Sequence, residues 1–126
     1  MSVVGIGNDI VEISRIANMA EKARTRLALR VLTPREHAHY LTLKQPERFL
    51  AKRWAGKEAA AKALGRGIAD GISFQNFDII SLPTGQPTLE ISGRALEIAN
   101  TLNASSWHIS LSDEREYALA FVVLSN

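Results

Sequence analysis

A glutamate and a lysine stand four residues apart in Trp54-Ala-Gly-Lys-Glu-Ala-Ala-Ala-Lys62. On a helix that spacing sets Glu58 and Lys62 side by side. Such a pair can simply stabilise the helix, by roughly 0.2–0.5 kcal/mol. It can also hold a cation and neutralise phosphate charge. A second carboxylate, Asp9, follows the short apolar run Val3–Ile6 and Gly7, at the expected end of a strand. It too has a plain structural use, as a cap for the helix that follows. One or two carboxylates plus substrate phosphates is the usual Mg²⁺ arrangement. Asp9 and Glu58 therefore fit a Mg²⁺-dependent phosphoryl-type reaction, with Lys62 on the phosphate charge. His108, on the polar face of a strand, can donate a hydrogen bond. Spacing alone does not bring Asp9 and Glu58 together.

Other chemistries lack their residues. The chain has no cysteine, hence no thiolate or disulfide. It has neither a Gly-x-x-x-x-Gly-Lys-Ser/Thr phosphate loop nor a Gly-x-Ser-x-Gly elbow. Gly5-Ile-Gly7-Asn-Asp-Ile10 begins like a dinucleotide fingerprint, but Ile10 stands where its third glycine belongs. His37 and His39, two apart on a helix, point to different faces and make a poor metal pair.

The elements that must position these residues can be read next. A central helix is expected from about Glu47 to Leu64, with Leu50, Trp54, Ala61 and Leu64 on its core stripe. Glu58 lies roughly 80° and Lys62 roughly 120° from Leu50, at the edge of that stripe. Their small neighbours, Ala51, Ala55, Ala59 and Ala63, leave room for another group to approach. Lys57 points near the centre of the stripe, so it either snorkels past Trp54 or faces a ligand or another subunit. Gly65 ends the helix, and Gly67 and Gly71 continue a loop.

Upstream, residues 12–30 read as mostly helical. Thr33-Pro34-Arg35-Glu36 is a capped helix start, and that helix must stop before Gln45-Pro46. Downstream come a hairpin (Phe77–Leu82, Thr88–Ile91), a helix capped by Ser92, and a second hairpin. The last strand, Tyr117–Leu124, is apolar enough to be buried on both faces. Helices and hairpins without βαβ alternation indicate an α+β fold with an antiparallel sheet and one long central helix.

At 126 residues the chain is one domain, 1–126. An apolar fraction of 46% and a charged fraction of 22% fit a globular protein. No apolar run approaches a membrane span, and Met1–Gly7 lacks a signal-peptide pattern, so a cytoplasmic location is expected. A net charge of +2 does not call for nucleic acid. Charge is uneven, however. Arg15, Lys22, Arg24, Arg26, Arg30 and Arg35 face one acid, Glu21, between positions 15 and 35. That stretch is either a solvated helix face or a dock for an acidic partner.

Two stretches resemble the signatures of holo-acyl-carrier-protein synthases, the short bacterial type within the 4′-phosphopantetheinyl transferase superfamily. The first is Gly7-Asn-Asp-Ile10 with Glu12-Ile13 and Arg15-Ile16. The second is Trp54 through Lys62. The Gly65-x-Gly67-Ile68 loop, the Trp107-His108-Ile109-Ser110 strand and the chain length agree, so the resemblance covers the whole chain. It implies a 4′-phosphopantetheinyl transferase-like fold and transfer of the 4′-phosphopantetheine arm of coenzyme A to a serine of apo acyl carrier protein. Adenosine 3′,5′-bisphosphate is released, in support of fatty acid biosynthesis. It further implies that Asp9 and Glu58 bind Mg²⁺ and that Lys62 and Gly65 border the pyrophosphate. His108 lies near coenzyme A, and a homotrimer has its sites between subunits. The base that takes the serine proton is left open between a carboxylate and a metal-bound water.

With that partner in view, Arg15, Lys22 and Arg24 are expected to dock the acidic carrier. Arg48 and Arg53 are expected at the 3′-phosphate, from different subunits, since they lie on different helix faces. Two other functions stay open on the residues alone: a Mg²⁺-dependent nucleotide or pyrophosphate hydrolase, and a non-catalytic module that binds an acidic protein through its basic helix.

Overall fold

A computed structural model describes all residues, 1–126. The order is β1 (Val3–Glu12), α1 (Ile13–Ala17), α2 (Glu21–Val31), α3 (Pro34–Tyr40), α4 (Pro46–Ala63), a 3₁₀ turn (Phe74–Asn76), β2 (Phe77–Ser81), β3 (Pro87–Ile91), α5 (Gly93–Thr101), β4 (Ser106–Asp113) and β5 (Tyr117–Ser125). Strands β1, β5 and β4 form an antiparallel sheet in the order β1-β5-β4, and β2 and β3 form a separate hairpin. Helix α4 lies across the three-stranded sheet. Its Leu50, Ala51, Ala55, Ala59, Ala60 and Ala61 are fully buried. The α+β class with one long central helix is as expected.

The room beside the alanines is taken, and by β1. A Cβ added to Gly7 would sit 2.1 Å from the Ala59 carbonyl oxygen, and one added to Gly5 would sit 2.1 Å from that of Ala63. Only glycine allows so close an approach of strand to helix. The alanines therefore admit a strand rather than a ligand. Neither glycine has positive φ, so neither breaks the strand. β1 runs on to Glu12, which places Asp9 inside it, opposite Ala120. Asp9 thus neither ends a strand nor caps a helix. The N-cap of α1 is Glu12, without a side-chain cap bond.

Other expectations shift. The helical stretch 12–30 is broken into α1 and α2, because α1 closes with the backbone N–H of Asn18 donating to the Ser14 carbonyl and that of Met19 to the Ile16 carbonyl. Helix α3 has its full capping box, Thr33 with Glu36, and stops at Tyr40. Ser92 occupies the N-cap of α5 but makes no side-chain cap bond. Its hydroxyl donates instead to the Asn76 carbonyl, at 3.4 Å. Strand β5 is buried on one face only. Ala118, Ala120, Val122 and Leu124 face α4, while Tyr117, Leu119 and Phe121 are exposed. No second layer of this chain covers that side.

Candidate functional site

Asp9, Glu58 and Lys62 come together where β1 crosses α4. The Lys62 ammonium donates to Asp9 Oδ1 at 2.9 Å and to the Asn8 carbonyl at 3.1 Å. The helix pair read from the sequence, Glu58–Lys62, is not a direct ion pair. Lys62 reaches across to the strand instead, because the Gly–Ala contact brings Asp9 within range. Glu58 is half-buried, and its pKa is raised, first by burial and then by the Asp9 carboxylate. Lys62, Arg30 and the Trp54 indole pull the other way.

The donor set suits a small hard cation. Two carboxylates repel each other across the site, so a shared cation between them relieves both. No group of three His, Cys, Asp or Glu side chains gathers in the chain, so two carboxylates are what the protein offers. Mg²⁺ is bound in this manner, by one or two carboxylates with water and phosphate oxygens completing the shell. A hollow of about 410 Å³ opens beside the site, lined by Asn8, Asp9, Ile10, Lys62, Ser110, Ser112, Leu119, Ala120 and Phe121. Thus the charged site and the exposed apolar sheet face run into each other.

Other expected site residues lie apart. Gly65 follows α4 with φ +81° and open space around its α-carbon. The Arg15 guanidinium stands over the Trp54 ring, 5.3 Å from its centre, one turn before Glu58. Lys22 is exposed on α2, whereas Arg24 is drawn to Glu47, at 3.7 Å. His108 lines a second hollow with Gln86, Pro87, Thr88 and Trp107, and does not line the first. Arg48 is committed to the β4–β5 turn, donating to Asp113 at 2.8 Å and to the Glu114 and Arg115 carbonyls. Arg53 is buried, with its guanidinium over Phe49 and its Nε without a hydrogen-bond partner. It borders a hollow with Arg35, His39 and Ser81.

Sequence reading missed a buried cluster on the other side of α4. Lys57 is wholly buried and neither snorkels nor faces a ligand. Its ammonium donates to Glu36 Oε1 and to the Val31 carbonyl, each at 2.6 Å. Glu36 also accepts from the backbone N–H groups of Thr33 and Ile79, each at 2.8 Å. Burial pushes Lys57 below the ordinary lysine pKa, and Glu36 opposes that shift. The direction of Lys57 toward the core was legible; its partner, 21 residues away in sequence, left no periodic trace.

Comparison with known proteins places this arrangement. Residues 5–122 match the family described as the 4′-phosphopantetheinyl transferase superfamily. The chain is 49% identical to the holo-[acyl-carrier-protein] synthase of Yersinia pestis (strain Pestoides F) over 126 residues, all of both chains. The crystal structure of holo-[acyl-carrier-protein] synthase from Neisseria meningitidis matches with a TM-score of 0.88 and 39% identity, covering 99% of this chain and 100% of that one. The Helicobacter pylori holo-[acyl-carrier-protein] synthase in complex with coenzyme A matches with a TM-score of 0.80 and 32% identity, covering 95% and 99%.

Proposed function

This chain belongs to the 4′-phosphopantetheinyl transferase superfamily, and from that premise we propose how its residues act. The reaction moves the 4′-phosphopantetheine arm of coenzyme A to a serine hydroxyl of an apo acyl carrier protein and releases adenosine 3′,5′-bisphosphate. It serves fatty acid biosynthesis. The observation that carries the assignment of the centre is the meeting of Asp9, Glu58 and Lys62 at the β1–α4 crossing.

Asp9 and Glu58 would hold Mg²⁺, which when bound polarises the attacked phosphorus and offsets the charge of the leaving phosphate. Lys62, about half exposed, binds the pyrophosphate, and Gly65 leaves space for it beside the end of α4. Arg15 and Lys22 present positive charge to the acidic carrier, and Arg24 shares in this where Glu47 releases it. Arg53 borders a hollow with Arg35 and Ser81 that would take the 3′-phosphate; Arg48 would first have to leave Asp113.

The exposed face of β1 and β5 supports a homotrimer with sites between subunits. Ile6 and Ile10 are 62% and 57% exposed, and Leu119 and Phe121 are 40% and 46%. Ile10 pairs with Leu119, and Asn8 with Phe121, so these side chains form one patch. Patches of this kind mark interfaces. Covering it would enclose the Asp9 hollow and let a neighbour bring His108 to it. No helix is long and apolar enough to cross a membrane, in keeping with a cytoplasmic enzyme.

The test is incubation with coenzyme A, Mg²⁺ and an apo carrier protein, followed by mass spectrometry of the carrier. A gain of one phosphopantetheine is expected. No gain, with a carrier from the same cell, would overturn the reading. Sedimentation should give a trimer that Phe121→Asp disperses.

A further inference from the structure

Lys57 is the residue of the Trp54–Lys62 motif that the reaction leaves without a task. Its surroundings are unusual. A fully buried lysine is rarely needed for stability, because a well-packed apolar residue at such a site is often as good or better. What an apolar residue cannot do is hold the end of another helix. Val31 is the last residue of α2, and its carbonyl has no partner within that helix. The Lys57 ammonium supplies one at 2.6 Å, and its charge complements the negative end of the helix dipole. The next carbonyl, that of Leu32, accepts from Gln75 Nε2 at 2.7 Å.

The ammonium is itself pinned. Glu36 Oε1 accepts from Lys57 and from Thr33 N, and Oε2 accepts from Ile79 N. Shifting Glu36 would break the start of α3 and the contact with β2 together. Lys57 and Glu58 leave adjacent positions of α4, roughly 100° apart around its axis. Helix α4 is itself held on β1 by the Gly5–Ala63 and Gly7–Ala59 contacts, so loosening the Lys57 bonds frees α2 and leaves Glu58 in place. Through one side chain, the end of α2 is set in the frame that holds Glu58.

We propose that Lys57, gripped by Glu36, is a positioning residue that locks the carrier-docking helix α2 to the helix presenting Glu58, and so sets where the carrier serine meets the carboxylates. This rests on the reading above that α2 docks the carrier. It assigns Lys57 no contact with coenzyme A or metal.

The double variant E36Q/K57M tests it. Methionine keeps the length of Lys57 without its donors. Glutamine removes the buried charge left behind and retains an acceptor oxygen. Three quantities are read: folding by circular dichroism, coenzyme A affinity by calorimetry without carrier, and kcat with carrier and coenzyme A saturating. Folding and coenzyme A affinity should stay within about threefold of wild type, while kcat falls ~10²-fold, the cost of a misplacement of about 1 Å. A kcat per folded molecule within about threefold of wild type overturns the proposal. So does a loss of coenzyme A affinity equal to the loss of kcat, since that is collapse of the whole site. Should the double variant not fold, K57R carries the test: it keeps charge and donors but displaces them, and an unchanged kcat contradicts the positioning role. Wild-type protein that charges no carrier would instead sink the functional reading, so the two failures are told apart.

Discussion

Two rows of charge climb the same helix and behave differently. Arg53 and Lys57 form one; Glu58 and Lys62 form the other. The first row is sealed where Lys57 stands, while Arg53 borders a hollow. Lys57 is wholly buried, and its bonds end on Glu36 and on the close of α2. The second row is open. Lys62 and Asp9 remain partly exposed at 49% and 18%, and Glu58 carries a raised pKa under the charge of Asp9. Charges that satisfy one another fix geometry. Charges left unbalanced beside a hollow retain the capacity to bind a cation and a phosphate. One helix does both, because residues i and i+4 share a face while i and i+1 do not.

Each row can be broken separately. The largest expected effect is on the sealed row. Lys57→Ala leaves the buried Glu36 carboxylate with only Arg53, 4.0 Å away, for a cation, and should cost up to about 3–5 kcal/mol of stability, measured by urea unfolding. Lys62→Ala, on the open row, should cost less than about 1 kcal/mol. Equal losses for the two would erase the distinction.

Next is Glu58→Gln, expected to lower kcat by ~10²–10³-fold, the range for removing one preorganised group from a charged transition state. The same variant should melt higher than wild type in EDTA at neutral pH. The sign follows from the shift: a carboxyl whose folded pKa is raised binds its proton more tightly when folded, so its charged form weakens the fold at pH above that pKa. The gain in melting temperature should vanish as pH drops below the unfolded value of 4.5. An unchanged melting temperature at neutral pH would remove the claim that the open row is unbalanced.

The smallest effect is at Arg48, which belongs to neither row while it holds Asp113. Burial alone would raise the pKa of Asp113, but hydrogen bonds from Arg48 and Lys52 and their charges lower it overall. A lowered carboxyl stabilises the fold above its unfolded pKa of 3.8, and that contribution is lost as pH falls through the folded value. Arg48→Ala should therefore cost at most about 1 kcal/mol at pH 7, and the difference from wild type should narrow below pH 4, near the 3.8 reference. A constant difference across that range would place the work of Arg48 on the two turn carbonyls alone.

The sequence revealed local features more readily than distant ones. The span of α4, the Thr33–Glu36 capping box and both hairpins follow from periodicity and capping chemistry over a few residues. The length of β1 did not, because Gly7 reads as a break until the Ala59 carbonyl is seen against it. The exposed face of β5 did not, because an apolar run looks alike whether its own chain or another subunit is to cover it. Lys62 was matched to Glu58 by spacing, whereas its bonded partner is Asp9, 53 residues away. The motifs named residues that do meet, Asp9, Glu58 and Lys62; the strand crossing decided which of them touch.

The central claim is that the open row, with Asp9, is where metal and pyrophosphate bind, and that the sealed row is not. Calorimetric titration of Mn²⁺ into protein saturated with coenzyme A tests this without turnover. Wild type should bind, Asp9→Asn and Glu58→Gln should each weaken binding by at least about tenfold, and K57M/E36Q should match wild type within about threefold. Undiminished Mn²⁺ affinity in both carboxylate variants would contradict the account.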